Sequence, residues 1–318
     1  MKTITQVKSV LPPVQMLPRP LPPVTDETVD SFTGRLASAN HLNHRDLVRT
    51  LAPSQRNPLQ ASGKAIRLDL LTGATGIHIT HLAYALPEIR HQLPIHSASQ
   101  FKGRTIAGRP NHIHPACRLC TNAKNISGHV PIWRRPDQNV CLRHGIWIGQ
   151  GTVTADDQLR VSDLPEILQA QRRHNKLIRR YGHREVNYHY GHAHNIVDSS
   201  SHLPSLTKRS NRMLHFFERE KVERLSRSYS SAAMYPEAVT LTGVLISPYW
   251  RHFAVHGTYV EQEKFFQRIQ LNDLMSGPPN LDRHLWRWIR EHQPRSWEPQ
   301  GEHRFLDRRE YSRSPVTE

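Results

Sequence analysis

Hydrophobic positions recur with a helical period from early in this chain. In "PPVTDETVDSFTGRLASANHL", prolines precede an acidic first turn, and Val29, Phe32 and Leu36 follow at i, i+3 and i+7. The spacing predicts one amphipathic helix ending near Asn40. Asn43 is placed to cap a second, with Leu47, Val48 and Leu51 inward and Pro53 as its stop. "AIRLDLLTGATGIHITHLAYALPEIR" predicts a short helix closed by Gly73, a turn through Gly76, and another helix presenting Leu82, Ala85 and Leu86 before Pro87. Short helices joined by glycine turns suit a helix-turn-helix-like unit, and periodicity alone fits a small helical bundle equally well.

The second half is again helical in pattern. "SDLPEILQAQRRHNKLIRRYG" opens on polar caps and Pro165, sets Leu164, Ile167, Leu168, Ile178 and Tyr181 along one side, and stops at Gly182. "SLTKRSNRMLHFFEREKVERL" and "YPEAVTLTGVLISPYW" predict two more helices, the latter with Pro236 in its first turn and Ala238, Leu241 and Leu245 on one face. "FFQRIQLNDL" and "RHLWRWIR" add another two. Trp286 and Trp288 lie two apart, so they diverge on a helix, and one is expected in the core with the other partly exposed. The most apolar window, "AVTLTGVLISPYW", is far shorter than the ~20 residues of a membrane span. The proline-rich start lacks a signal peptide's apolar run, so a cytoplasmic, nucleoid-associated protein is expected.

Between these halves the pattern changes. All three cysteines lie within "HPACRLC" and "CLRHGIW", spaced as Cys117-x-x-Cys120 and Cys141-x-x-His144. A C-x2-C turn lets two thiolates grip one ion, and a second such knuckle completes a tetrahedron, as in a zinc ribbon with a short β-hairpin. Four protein ligands leave no open coordination position, so the expected ion is one structural zinc. Nucleobase deaminases also carry C-x-x-C, but theirs is preceded by Pro and fed by an upstream H-x-E. Here "HIHPAC" has no Glu, and its proline is not adjacent to the cysteine. "YGHREVNYHYGHAHN" gathers His183, His189, His192 and His194 without thiolate or acidic ligands at a recognised spacing, and no second metal is expected there.

Charge then narrows the partner. The 318 residues carry 43 Lys and Arg against 27 Asp and Glu, a formal charge of +16 with 22 His besides. A field of that sign concentrates polyanions, nucleic acid above all. Residues 102 to 147 contribute Lys102, Arg104, Arg109, Arg118, Lys124, Arg134, Arg135 and Arg143 against Asp137 alone. Arg172, Lys176, Arg179 and Arg180 make a second basic stripe at helical spacing. Arg118, Lys124, Arg134, Arg135, Arg143 and the stripe are therefore the candidate DNA contacts, against the alternative of solvated faces. Trp133 and Trp147 suit the small core of a metal site better than base stacking.

The order "RPLPPVTDETVDSFTGRLASANHL", "LDLLTGATGIHITHLAYALPEI", "CRLC" and "CLRHGIWI" resembles the TniQ family of transposition proteins, related to the target selector TnsD. The family's Ser-x-x-x-Arg-Leu-Ala core matches Ser31, Arg35, Leu36 and Ala37, its zinc ligands match Cys117, Cys120, Cys141 and His144, and its following glycine matches Gly145. Arg118 and Leu142 stand where members commonly carry proline, which alters turn stiffness and leaves the ligands intact. The likeness covers about residues 17 to 148. It implies a non-catalytic adaptor that helps a transposition machine choose its target, by binding DNA or by docking on a DNA-bound complex.

The chain thus reads as mainly α. A tail at 1–16 precedes the helical part (17–98) and the zinc-ribbon part (99–150) of a TniQ-like domain, then a helical C-terminal domain (151–295) and a tail (296–318). The motifs of P-loop ATPases, G-x-S-x-G hydrolases and H-E-x-x-H proteases are all missing, and the loop acids Asp156, Asp157 and Asp163 suggest no two-metal nuclease. The expected partners are DNA and a transposition ATPase, transposase or DNA-bound targeting complex, with the C-terminal half as a partner or homodimer surface and no membrane. The N-terminal helices carrying Phe32, Arg35 and Leu36 are expected to matter for docking or DNA placement. The alternative is a stand-alone zinc-containing transcriptional regulator that uses the same module.

Overall fold

The computed structural model describes residues 15–53, 65–93, 113–126, 128–133, 135–199, 207–220, 227–270 and 283–293. It is mainly helical, as the periodicity predicts. The two expected tails lie almost wholly outside the described residues. The chain divides into two compact units, residues 1–148 with 152–159, and residues 149–151 with 160–318.

The first unit begins with α1 (Val29–Ala39) and α2 (His44–Leu51). The Thr28 hydroxyl accepts from the Ser31 N–H and the Asn43 side chain from the Arg45 N–H, satisfying amides that a helix start leaves orphaned. Val29, Phe32, Leu36, Leu47 and Leu51 point into one core with Leu71, Leu82, Leu86 and Ile89. Each such side chain contributes about 1.5–3 kcal/mol by leaving water. Burial of Phe32 and Leu36 makes them core residues, unavailable for docking. Arg35 is turned inward as well. Its guanidinium donates to the fully buried Glu27 carboxylate at 2.7 and 2.9 Å, and Glu27 also accepts from Ser31 Oγ and the Val24 N–H. The Ser-x-x-x-Arg phrase thus pins the proline-rich entry segment onto α1, which removes Arg35 from the surface that would meet DNA.

A correction follows at the third helix. α3 (Leu68–Thr75) runs through Gly73 and ends at Gly76, whose φ of 66° is the left-handed cap and whose N–H reaches the Thr72 carbonyl. A residue in mid-helix tolerates glycine at a modest cost, whereas the cap requires it. A Cβ at Gly76 would also lie 2.8 Å from the Met16 sulfur. The chain turns through Gly76, Ile77 and His78 into α4 (Ile79–Ala85), then a 3-10 turn at Pro87–Gln92. This is the helix-turn-helix-like pair.

The ribbon part of the same unit has two small antiparallel hairpins. β1 (Ile113–Pro115) pairs with β2 (Pro131–Trp133), and β3 (Val140–Cys141) pairs with β4 (Ile146–Trp147). A single helical turn, α5 (Arg118–Asn122), follows the first cysteine. Bonds from the Thr28 N–H to the Pro131 carbonyl and from the Trp133 N–H to the Asp26 carbonyl stitch β2 to the entry of α1. Trp147 is fully buried and Trp133 half-buried.

The second unit is a helical assembly of α6 (Pro165–Tyr181), α7 (His183–Ser199), α8 (Thr207–Glu220), α9 (Arg227–Leu245), α10 (Pro248–His256), α11 (Tyr259–Gln270) and α12 (Arg283–His292). Its core joins Ala193, Ile196, Leu241, Leu245, Phe265, Leu285 and Trp288. Trp288 is core and Trp286 half-buried, as the two-residue offset predicts. Two sequence expectations change. The buried face of α6 is Ile167, Ala170, Gln171 and His174, with Leu168, Ile178 and Tyr181 only half-buried. Polar Gln171 and His174 go inside because the Tyr235 hydroxyl bonds both. The histidine-rich stretch is a helix, α7.

Pro236, expected in a first turn, sits in the middle of α9, and Ser247–Pro248 starts a separate helix. A mid-helix proline removes one backbone bond and crowds the carbonyls before it. Next to it the buried Arg212 of α8 donates to the Ala233 carbonyl and to both oxygens of Glu237. Among the described residues no helix is long and apolar enough to cross a membrane.

Candidate metal centre and basic surfaces

Cys117 ends β1's lead-in and heads α5, where the Thr121 N–H bonds its carbonyl. Cys120 lies one turn on. Cys141 closes β3, and the His144 and Gly145 N–H groups both reach back to its carbonyl. That tight knuckle needs Gly145, whose φ is 60°. The four side chains meet, with their donor atoms all within 4.8 Å of one another. His144 Nδ1 lies 3.6 Å from Cys117 Sγ, 3.3 Å from Cys120 Sγ and 3.6 Å from Cys141 Sγ, and the last two sulfurs are 3.7 Å apart. A zinc with bonds near 2.3 Å to sulfur gives tetrahedral edges of about 3.8 Å. The donor set therefore fits a tetrahedral ion in both chemistry and size.

Electrostatics point the same way. Hydrogen bonding from the Cys117 thiol, with help from His144, holds Cys141 down at about 4. The Cys117 thiol is pushed up, first by that same bond to Cys141, and Cys120 is pushed up chiefly by burial. Without a cation the three sulfurs share essentially one negative charge. A divalent ion lets all of them ionise.

One supporting residue has no signal in the sequence. Gln158, 3% exposed, accepts from the Arg118 N–H and donates to the Ala116 carbonyl, bracketing Cys117 from 41 positions downstream. It holds the knuckle's backbone in place. Only a motif that spanned the whole unit would have revealed it.

The candidate DNA contacts divide by exposure. Arg118, Lys124 and Arg143 are exposed around the metal centre, and Arg143 is close enough to draw the Cys120 thiol down. Arg135 is half-buried, so it is a poorer contact. Arg134 lies outside the described residues, as do Lys102, Arg104 and Arg109. In the second unit Arg172, Lys176, Arg179 and Arg180 are all exposed along α6, with Arg180 resting 5.1 Å over the Tyr181 ring. The helical part of the first unit is different: Arg35, Arg49, Arg67 and Arg90 are paired to Glu27, Asp46, Asp69 and Asp26. The loop acids are occupied too. Asp157 caps the Val153 and Thr154 amides, and Asp163 pairs with His215 and Arg219.

Residues 18–147 match the family model described as TniQ. The match spans α1 through β4, including the whole metal centre, and leaves the second unit outside it. No curated protein and no solved structure matches the chain.

Proposed function

We propose that this protein, with its TniQ-type region at residues 18–147, is a non-catalytic DNA-binding adaptor that helps a transposition machinery select or dock on target DNA. One observation carries the reading: the family match ends on the same metal centre that the four ligands build. One structural zinc would be held by Cys117, Cys120, Cys141 and His144, and it would supply folding free energy to the ribbon. Arg118, Lys124 and Arg143, with Arg134 and Arg135, would lay positive charge along phosphates, and Arg172, Lys176, Arg179 and Arg180 would do so on α6. Recognition of this kind needs a partner that brings the chemistry, a transposition ATPase or transposase or a complex already on DNA. The C-terminal helices supply the surface for that partner or for a second copy.

Deleting the gene and mapping insertions tests the role. Loss or redistribution of insertions is expected, and the protein should co-purify with the transposition proteins. The isolated protein should hydrolyse no ATP and cut no DNA. An unchanged insertion map with altered transcription of neighbouring operons would move the assignment to a stand-alone regulator.

A further inference from the structure

The outer face of α12 carries charge that the folded unit does not use. Arg283, Arg287 and Arg290 recur at i, i+4 and i+7 and are all exposed, while Leu285, Trp288 and Ile289 fill the core on the opposite side. None of the three side chains has a carboxylate partner among the described residues. The helix's single acid, Glu291, is taken: it accepts from the Tyr188 hydroxyl at 2.9 Å and pairs with His192 at 3.2 Å. Helix-dipole complementation does not explain the row, because Arg283 sits at the helix N-terminus, where a cation is disfavoured.

We propose that this face of α12 is a phosphate-binding surface for duplex DNA. The proposal rests on the DNA-binding reading above and adds a surface outside the family-matched region. At a 1.5 Å rise per residue the three guanidinium stems span about 10 Å, against one phosphate per 3.4 Å of axis on each strand. A row of that length can therefore engage successive phosphates. A protein partner would be expected to seek an apolar anchor at the centre of its contact. α12 offers none, since no large hydrophobic side chain of this helix is exposed and Trp286 leans on Phe266. Arginine also suits phosphate better than lysine, because its planar fork donates two bonds at once.

The test uses the full chain and a 30-base-pair duplex of arbitrary sequence, with affinity measured across salt concentrations. Replacing Arg283, Arg287 and Arg290 together by Ala should reduce the slope of log K against log salt by about 2.7, from 0.9 per phosphate. At 0.1 M salt each lost contact should weaken binding roughly eightfold on the same relation. The triple Lys variant should keep the slope, and both variants should melt like the wild type, since the positions are exposed. An unchanged slope in the folded Ala variant overturns the proposal while leaving the broader reading intact. Wild-type protein with no salt-dependent DNA binding would sink both. A variant that binds DNA normally yet loses the transposition proteins on purification would assign the face to protein contact, and would also overturn it.

Discussion

His144 faces all three sulfurs through Nδ1, so as a ligand it must carry its proton on Nε2. A tetrahedral site filled by four protein donors makes each ligand essential, because losing one leaves the ion a donor short. Purified protein is therefore expected to contain one zinc per chain by elemental analysis, and Cys141→Ser to lose it together with local folding. Full zinc retention in a Cys117→Ser, Cys141→Ser double variant would refute the assignment. At this scale the sequence was already informative: the identity and spacing of the ligands fix the chemistry. It was uninformative about Gln158, whose role exists only because the chain returns to the knuckle, and about Arg35, whose partner Glu27 is an ordinary acid until the helix places it.

The pairing of α7 with α12 is an element-scale device with a pH consequence. His189 is fully buried, accepts the Trp288 indole N–H on Nδ1 at 3.1 Å, and meets Glu185 through Nε2 at 3.2 Å. Burial holds it down at about 4, below its ordinary 6.5; Glu185 opposes the shift, and His292 and Arg251 reinforce it. A proton on Nδ1 would point at the indole N–H and break that bond. The sign follows from linkage: the folded state favours the neutral ring, so its contribution is complete above pH 6.5 and is lost as pH falls from 6.5 toward 4. Thermal melts followed by tryptophan fluorescence should show that loss, and His189→Gln should flatten it. Identical pH profiles for the two proteins would exclude the latch. Element boundaries show what periodicity can and cannot tell. Asn43 opens a helix and Asn40 and Gly182 end helices as read, because capping is local. Pro236 was misplaced because a proline opens a helix in most contexts, whereas here it lies inside α9.

On the scale of the whole molecule, each unit has its own apolar core, one around Phe32, Leu36 and Leu82 and one around Leu241, Phe265 and Trp288. The Cys117, Cys120, Cys141 and His144 cluster belongs to the first. A chelator is thus expected to raise amide hydrogen exchange across residues 113–147 while protection in the middle of α9 persists. Equal loosening of α9 would show that the ion stabilises more than its own unit. Charge is likewise divided unevenly: Arg35, Arg49, Arg67 and Arg90 among the N-terminal helices are paired with carboxylates, whereas Arg118 and Arg143 of the ribbon and the basic rows of α6 and α12 lie in water. The net +16 alone could not show that distribution.

The sequence by itself determined the helical class, the caps, the Cys3His cluster and the family likeness, because each depends on residue type at short fixed spacings. Tertiary structure decided which polar side chains go inside. Gln171 and His174 are buried because Tyr235 meets them, Glu27 because Arg35 does, and Arg212 because Glu237 and the Ala233 carbonyl do. A buried polar group is stable only with a partner, and those partners come from 8 to 64 residues away, on other segments of the fold. The same logic bears on the arginines of α12, which lie exposed and meet no carboxylate among the described residues.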